Sequence, residues 1–307
     1  MALGLAAMAC GSRTGLFADE ETATTVAGPA SPDSGRDGAR DAADASVDVA
    51  LPTIDATPLP DVRVNDCPDA AATVVYLVTS ENDLLAFDPP ALAFRMIGHL
   101  ACPAGTATPF SMAVDRKGLA YVVYNDGTLY RVSTANASCT ATAFGVDQLG
   151  FFTFGMGFAT NGVTTAETLW IADADFQSGR SRLGAIDTTT LKVREVGPFL
   201  PTIPRAELTG TGDGRLFGYW PDVAAPGGHL VQIDPSDARI LAKNDLPIGD
   251  PGDAFAFAFW GGDFWIFTSA GGTTEVNRYR PATLQTSLET SYPGTVVGAG
   301  VSTCAPQ

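Results

Sequence analysis

The last 230 or so residues repeat one alternation of apolar and polar stretches five times. In each repeat an apolar strand is followed by a polar turn, a second apolar strand and a turn rich in Asp, Thr and Pro. The second strand and its turn recur as LLAFDPPAL (84–92), LYRVSTANA (129–137), LGAIDTTTL (183–191), LVQIDPSDA (230–238) and VNRYRPATL (276–284). These segments begin about 45 to 54 residues apart, a period that is typical of the four-stranded blades of a β-propeller.

Two further kinds of segment complete each repeat. Runs rich in Gly, Ala and Phe come first, and their small side chains suit inner strands crowded around a propeller axis; they are 110–115, 154–160, 207–213 and 254–260. A fourth, more polar strand follows each repeated turn. Asn125-Asp126-Gly127 lies between two apolar runs, as expected for the tight turn of a β-hairpin.

The first repeat lacks an inner strand, and the last is followed by an unassigned strand, TVVGAGVS (295–302). We therefore predict an all-β fold: a β-propeller of five four-stranded blades over residues 67–307, closed by the C-terminal strand. Six blades is the alternative, if 151–154 or 195–203 contain extra strands.

Residues 11–66 differ in composition from the repeats. Residues 18–66 are mostly Asp, Ala, Pro, Ser and Thr without an aromatic ring, and carry roughly half of the net charge of −16. Such a segment cannot bury enough apolar surface to fold, so it is predicted to be a disordered acidic linker. The acidic balance argues against nucleic acid and against electrostatic docking on anionic lipid.

Residues 1–10, MALGLAAMAC, are short and apolar and end in Cys10. This segment resembles the end of a bacterial lipoprotein signal peptide, in which lipidation of the Cys would anchor the chain. The positively charged start of a signal peptide is missing, so an earlier start codon is an alternative. Any contact with a membrane is expected only through this anchor.

The remaining four cysteines suggest two disulfides, as expected in an exported protein. Cys67 precedes the second strand of the first blade, and Cys304 follows the predicted inner strand of that blade. A Cys67–Cys304 disulfide would covalently link the two ends of the propeller and so close the ring. Cys102–Cys139 then follows by elimination.

Aromatic and polar residues at the predicted strand ends could line a binding mouth on the face where the inner strands begin. The candidate ligand-binding residues are Phe110, Phe152, Phe154, Trp220, Asp126, Arg180 and Glu275. The alternative for the inner-strand Phe residues is packing between blades.

The chain has no nucleophile motif, and its two histidines, His99 and His229, are interpreted as surface or turn residues. Glu207 and Asp253 are the carboxylates best placed to act as a glycosidase pair, because each lies at the start of an inner strand. Asp173 and Asp175 could hold Ca²⁺, although solvated loop acids are the simpler interpretation. No resident cofactor is expected.

The segment CGSRTGLF (10–17), the acidic linker, and the phrases TPFSMAVD (108–115) and FGMGFAT (154–160) resemble surface lipoproteins of the kind abundant in myxobacteria. The resemblance implies an exported propeller and no defined activity.

From these observations we expect a monomeric, non-enzymatic propeller, tethered to the outer membrane or cell surface, that binds a small molecule, a glycan or a surface protein. Periplasmic or secreted location is an alternative. The alternative function is a secreted polysaccharide hydrolase or lyase, which fold alone does not exclude.

Overall fold

The computed structural model describes residues 50–55, 57, 67, 73–162, 164–175, 180–222, 226–249 and 252–307, without the side chains of 174, 175 and 180. The candidate lipidation site Cys10 and most of the predicted linker lie outside the described residues. The described residues belong to one compact unit, Val49–Gln307. No helix in the described part of the chain is long and apolar enough to cross a membrane.

Within these ranges, twenty strands form five four-stranded antiparallel sheets, which confirms the predicted five-bladed propeller. Blade 1 contains β1 (Val75–Thr79), β2 (Asp83–Asp88) and β3 (Ala93–His99). Blade 2 contains β4 (Pro109–Val114), β5 (Leu119–Tyr124), β6 (Leu129–Ser133) and β7 (Cys139–Ala141). Blade 3 contains β8 (Gly155–Thr160), β9 (Glu167–Asp175), β10 (Arg180–Ile186) and β11 (Val193–Pro198).

Blade 4 contains β12 (Glu207–Gly210), β13 (Leu216–Pro221), β14 (Gly228–Ile233) and β15 (Ile240–Leu246). Blade 5 contains β16 (Ala254–Trp260), β17 (Asp263–Ala270), β18 (Thr273–Arg280) and β19 (Gln285–Tyr292). The C-terminal strand β20 (Val296–Gly300) completes blade 1 as its inner strand.

The ring closes as predicted. β20 pairs antiparallel with β1, with Tyr76 opposite Gly300 and Val78 opposite Gly298. Both predicted disulfides are present: Cys67–Cys304, with 5.6 Å between the Cα atoms, and Cys102–Cys139, with 5.1 Å. The first of these joins the N-terminal side of blade 1 to the end of β20, where the chain itself is interrupted.

The repeated phrase corresponds to the turn between the third and fourth strand of each blade. Its last residue has a left-handed backbone in every blade, with φ between 50° and 62° at Leu92, Ala137, Leu191, Ala238 and Leu284. In several blades the polar residue that begins the turn caps it. The Asp187 carboxylate, for example, accepts the Thr189 and Thr190 N–H groups at 2.8 Å. Side-chain caps of this kind favour a turn over a continued strand.

Glycines let the inner strands approach one another closely around the axis. A Cβ atom at Gly155 in β8 would lie 2.1 Å from the Ala206 carbonyl oxygen, just before β12. A Cβ at Gly298 in β20 would lie 2.8 Å from the Met112 backbone nitrogen in β4. Real Cβ contacts are longer than this, so the two positions require glycine.

Large aromatic rings fill the spaces between neighbouring blades. Phe87 of blade 1 lies 5.4 Å from the Trp265 ring and 5.6 Å from the Phe267 ring of blade 5. Phe217 of blade 4 stacks at 5.9 Å on Phe259 of blade 5. Such pairs contribute roughly 0.5–1.5 kcal/mol beyond the area they bury, so they fix the angle between blades.

The propeller's contacts begin before the predicted start at residue 67. Residues 51–55 lie along β15, the outer strand of blade 4. The Pro52 carbonyl accepts the Lys243 N–H at 3.0 Å, and the Ile54 N–H donates to Asn244 Oδ1 at 2.9 Å. Ile54 itself is buried, in contact with the core between blades 4 and 5.

Candidate functional site

The five inner strands surround a central axis, and a cavity of about 160 Å³ opens at the end where they begin. We call this end the N-terminal mouth. The cavity is lined by Pro109, Phe110, Arg205, Glu207, Asp253, Ala254, Phe255 and Val297. These residues come from the starts of β4, β12, β16 and β20, or from the loops just before them. Ligands typically use such concave sites, in which apolar walls carry a few polar groups.

The floor of the cavity is the carboxyl group of Glu207, the first residue of β12. Ser111 Oγ of β4 donates to Glu207 Oε2 at 2.6 Å, which joins blade 2 to blade 4 across the axis. The Met156 N–H of blade 3 is a second donor to the carboxyl group. Glu207 therefore ties three inner strands together and closes the channel beneath the cavity.

Burial raises the pKa of Glu207 to about 8, because water is excluded from the carboxyl group. The hydrogen bond from Ser111 and the charge of Arg205 act in the opposite direction but do not offset this cost. At neutral pH Glu207 is mostly uncharged. It therefore adds little negative charge to the cavity.

Arg205 and Phe110 form one wall. The Arg205 guanidinium lies over the Phe110 ring, with 4.5 Å between its central carbon and the ring centroid. The side chain is half-buried, and burial lowers the pKa of Arg205. Arginine nevertheless keeps its charge in proteins, so the wall presents a cation on an aromatic face.

Asp253 lies at the rim, exposed to solvent. Its Oδ2 accepts the Gly271 N–H at 3.3 Å, which orients the side chain against the loop between β17 and β18. Nearby, Phe255 supplies a second half-buried ring, held at 5.9 Å from the Tyr219 ring. The structure thus brings Phe110, Glu207 and Asp253, three residues singled out from the sequence, to one cavity.

The opposite end of the channel is covered by the C-terminal tail. Thr303 Oγ1 donates to Glu167 Oε2 of blade 3 at 3.0 Å and accepts from Arg116 of blade 2 at 3.3 Å. The Pro306 carbonyl accepts the Gly261 N–H of blade 5 at 2.8 Å. The tail therefore contacts blades 2, 3 and 5 at the end opposite the N-terminal mouth.

Two other aromatic candidates, Phe154 and Trp220, are buried in the protein interior. Phe154 is fully buried in the core between blades 2 and 3. Trp220 is buried at the end of β13, and its ring lies 5.0 Å from the His229 ring. Phe152, by contrast, is 40% exposed in the loop before β8.

Asp126 and Glu275 are not among the residues that line the cavity. Asp126 caps its own hairpin, where its Oδ1 accepts the Thr128 N–H at 3.0 Å. Glu275 is exposed on β18. Arg180 begins β10, and its side chain lies outside the described part, as does that of Asp175 at the end of β9.

Asp173 and the histidines make other interactions. Asp173, considered for Ca²⁺, is buried with its Oδ2 3.4 Å from Arg182 Nη2. Across the described residues, no group of three or more His, Cys, Asp or Glu side chains is arranged to hold a metal ion. His229 contacts Asp245 at 2.6 Å and Asp222 at 3.1 Å, and His99 contacts Asp83 at 3.0 Å.

A second, larger cleft of about 490 Å³ lies on blade 3. It is lined by the β10–β11 turn and by parts of β9, β10 and β11, mainly through threonines and by Glu167, Lys192 and Arg194. It lies outside the ring of inner strands. Its lining lacks the combination of aromatic walls and a half-buried cation that marks the N-terminal mouth.

Sequence reasoning missed Arg205, Phe255 and Ser111. Arg205 lies two residues before Glu207, so its position at the start of an inner strand was visible in the repeat pattern. The cross-axis contact of Ser111 with Glu207 had no signal in the sequence, because the two residues are 96 positions apart.

No known protein family matches this sequence. No curated protein matches it either. Similar solved structures include TolB from Acinetobacter baumannii, with 12% identity, a TM-score of 0.41, and 72% of this chain and 53% of that chain covered. Hydrazine synthase from Kuenenia stuttgartiensis matches with 12% identity and a TM-score of 0.40, covering 69% of this chain and 64% of that one. The Dos1 propeller matches with 12% identity and a TM-score of 0.37, over 76% and 71% of the two chains.

This chain spans about half the length of the TolB chain and just under two thirds of the hydrazine synthase chain. At these identities and TM-scores the matches assign no activity to it.

Proposed function

We propose that this protein is an exported, surface-tethered, non-enzymatic β-propeller that binds a small molecule or the end of a glycan in the cavity at the N-terminal mouth. The observation that carries the proposal is the cavity itself. It combines the Phe110 and Phe255 rings with the half-buried cation of Arg205, above a floor closed by Glu207.

The size of the cavity limits what it can enclose. Pockets for drug-sized ligands measure about 300–1,000 Å³. At about 160 Å³, this cavity has room for a single ring or terminal group. The rest of a longer ligand would lie on the protein surface around the cavity. The cavity therefore suits the terminal residue of a glycan better than a residue in the middle of one.

Export and tethering rest on separate observations. Two disulfides support an oxidising compartment, since such bonds do not persist in most cytosolic proteins. The lipoprotein-like residues 1–10 and the acidic residues that follow support attachment through Cys10. Metabolic labelling with a fatty-acid analogue, compared between the wild type and Cys10→Ser, tests the anchor directly.

Glycan-array binding by the purified protein, with a small-molecule library screened by thermal shift, tests the binding function. We expect a ligand whose affinity falls at least tenfold in Phe110→Ala. Leu288→Ala is the control, because it removes an exposed apolar side chain from β19, the outer strand of blade 5, and should leave affinity unchanged. Equal affinity of the wild type and Phe110→Ala would reject the cavity as the site.

A second candidate function is hydrolysis of a polysaccharide, and one observation favours it. Glu207 and Asp253 line the same cavity, and a carboxyl group with a pKa of about 8 is protonated as a general acid must be. In that case Glu207→Gln would abolish turnover and keep binding. If the wild type binds a polysaccharide from the array but hydrolyses none of them, the result supports the non-enzymatic proposal and rejects hydrolysis.

A further inference from the structure

Arg205 differs from the arginines that stabilise the propeller. Arg182 contacts Asp173 and Glu195, Arg215 contacts Asp213, and Arg278 contacts Asp263, so each has a carboxylate partner. Arg205 is half-buried, yet in the part of the chain that the structure describes it makes no hydrogen bond or ion pair. Its guanidinium lies over the Phe110 ring.

A half-buried guanidinium without a partner is unfavourable in the free protein, because burial removes water from a charge that arginine cannot lose. Burial lowers the pKa of Arg205, and the nearby Asp173 and Glu207 act on it electrostatically in the opposite direction, but among the described residues neither forms a direct ion pair with it. Asp173 is paired with Arg182, and Glu207 is tied to Ser111 and carries a raised pKa. Asp253 lies at the rim, where it accepts a backbone N–H. The five N–H donors of Arg205 remain available to a ligand.

We propose that Arg205 binds the carboxylate of an acidic sugar, a uronic acid at the end of a glycan, whose ring lies in the cavity at the N-terminal mouth. This inference rests on the proposed binding function and names its ligand class.

Each part of the cavity matches one feature of such a ring. A planar guanidinium fixed by stacking can hold a carboxylate through two parallel hydrogen bonds. Phe110 and Phe255 offer apolar faces to the C–H side of a sugar ring. Asp253 at the rim can accept hydrogen bonds from ring hydroxyls. A simple inorganic anion would use Arg205 but neither the rings nor Asp253.

The test is calorimetric titration of the full chain with four probes: glucuronate, its neutral counterpart glucose, galacturonate and inorganic phosphate. We expect at least one uronate to bind at least tenfold more tightly than glucose or phosphate. In Arg205→Gln that advantage should disappear, so that uronate and glucose bind alike. Arg205→Lys keeps the charge but loses the planar pair of donors, and should keep only part of the advantage.

Arg95→Gln is the charge-matched control, because it removes an exposed cation from the outer strand of blade 1 and should leave uronate affinity unchanged. Thermal unfolding of each variant without ligand separates a binding role from a structural one. Since Arg205 forms no direct hydrogen bond or ion pair with the described residues, and its contact with Phe110 offsets only part of the cost of burying its charge, Arg205→Gln should unfold at the wild-type temperature or above it. A lower unfolding temperature would make Arg205 a structural residue and overturn the inference.

The outcomes separate the two proposals. If glucose and uronate bind equally, and both lose affinity in Phe110→Ala but not in Arg205→Gln, the cavity is a binding site and the carboxylate assignment is wrong. Tighter binding of phosphate than of uronate also overturns the assignment. If no probe binds and the glycan array is blank, the proposed binding function fails together with it.

Discussion

Removing the Cys67–Cys304 disulfide should destabilise the protein more than removing Cys102–Cys139. The first bond closes a loop of 237 residues and the second a loop of 37. In the chain-entropy treatment, these loops correspond to about 5.5 and about 3.8 kcal/mol at 25 °C. The expected difference in unfolding free energy is therefore about 1.6 kcal/mol, from the unfolded state alone.

The folded state should increase this difference. Cys304 directly follows the strand that completes blade 1, and Cys67 also accepts a hydrogen bond from Arg116 at 3.2 Å. Without the bond, β20 keeps its pairing with β1, the hydrogen bonds of Val296 with Ser269 and Thr274 of blade 5, and the contacts of the C-terminal tail, but it loses its covalent link to the start of blade 1. Cys102–Cys139 links the loop between β3 and β4 to β7, the outer strand of blade 2, and leaves ring closure intact.

Guanidinium unfolding at 25 °C, followed by the fluorescence of the four tryptophans, measures both effects. The Cys67→Ser/Cys304→Ser and Cys102→Ser/Cys139→Ser variants are compared in a Cys10→Ser background, so that no free thiol confuses the comparison. Hydrogen exchange should show faster exchange of β20 and β1 amides only in the first variant. Equal losses of unfolding free energy, or a larger loss in the second variant, would refute the reasoning.

Three further predictions concern single positions. Gly155→Ala should lower the free energy of unfolding by about 2 kcal/mol or more, because the new Cβ would clash with a backbone carbonyl of the next blade. Gly145→Ala is the control: its Cβ would meet no atom closer than 3.8 Å, so the free energy of unfolding should change by under about 0.5 kcal/mol. Glu207 has a folded-state pKa of about 8, so its contribution to stability is complete below its unfolded pKa of about 4.3 and is lost as pH rises towards 8. Unfolding free energy should fall by about 1.4 kcal/mol per pH unit from this group between those values, and Glu207→Gln should remove that part of the slope in a pH series of denaturant melts. Leu284→Gly should leave the protein as stable as the wild type or stabilise it by about 0.5 kcal/mol, because the exposed Leu284 has a left-handed backbone with a φ of 56°. Leu288→Gly, on the exposed face of β19, should destabilise the protein. Thermal melts compare the two variants, and a greater loss of stability in Leu284→Gly would contradict the left-handed turn.

Much of the architecture could be predicted from local sequence. The repeated phrase recurs because each blade needs the same turn between its third and fourth strands, with a polar cap at the start and a left-handed residue at the end. The missing inner strand of blade 1 and the extra C-terminal strand together implied ring closure. Cys67 and Cys304 flank that closure, so their pairing followed from strand order without knowledge of three-dimensional distances.

The candidate site was predicted only in part. Phe110, Glu207 and Asp253 were recognisable because they begin inner strands, and all inner strands begin at the same end of a propeller. Phe154 begins an inner strand by the same criterion, yet its side chain points between blades. Neighbouring residues of a strand point to opposite faces of the sheet, so an error of one residue reverses the predicted side-chain direction. The repeat pattern does not predict the register of each inner strand to within one residue.

The sequence by itself favoured five blades over six and determined their strand order and the closure of the ring, because these depend on hydrophobic periodicity and turn chemistry within about fifty residues. Only the tertiary structure decided which charged groups meet at the axis. Ser111 and Glu207 come from blades that are not neighbours, and Arg205 stacks on a ring 95 residues away in the chain. The shape and charge of the N-terminal mouth depend on how the five blades pack around one axis. Contacts across that axis join residues far apart in the chain, so they produce no local sequence pattern from which they could be predicted.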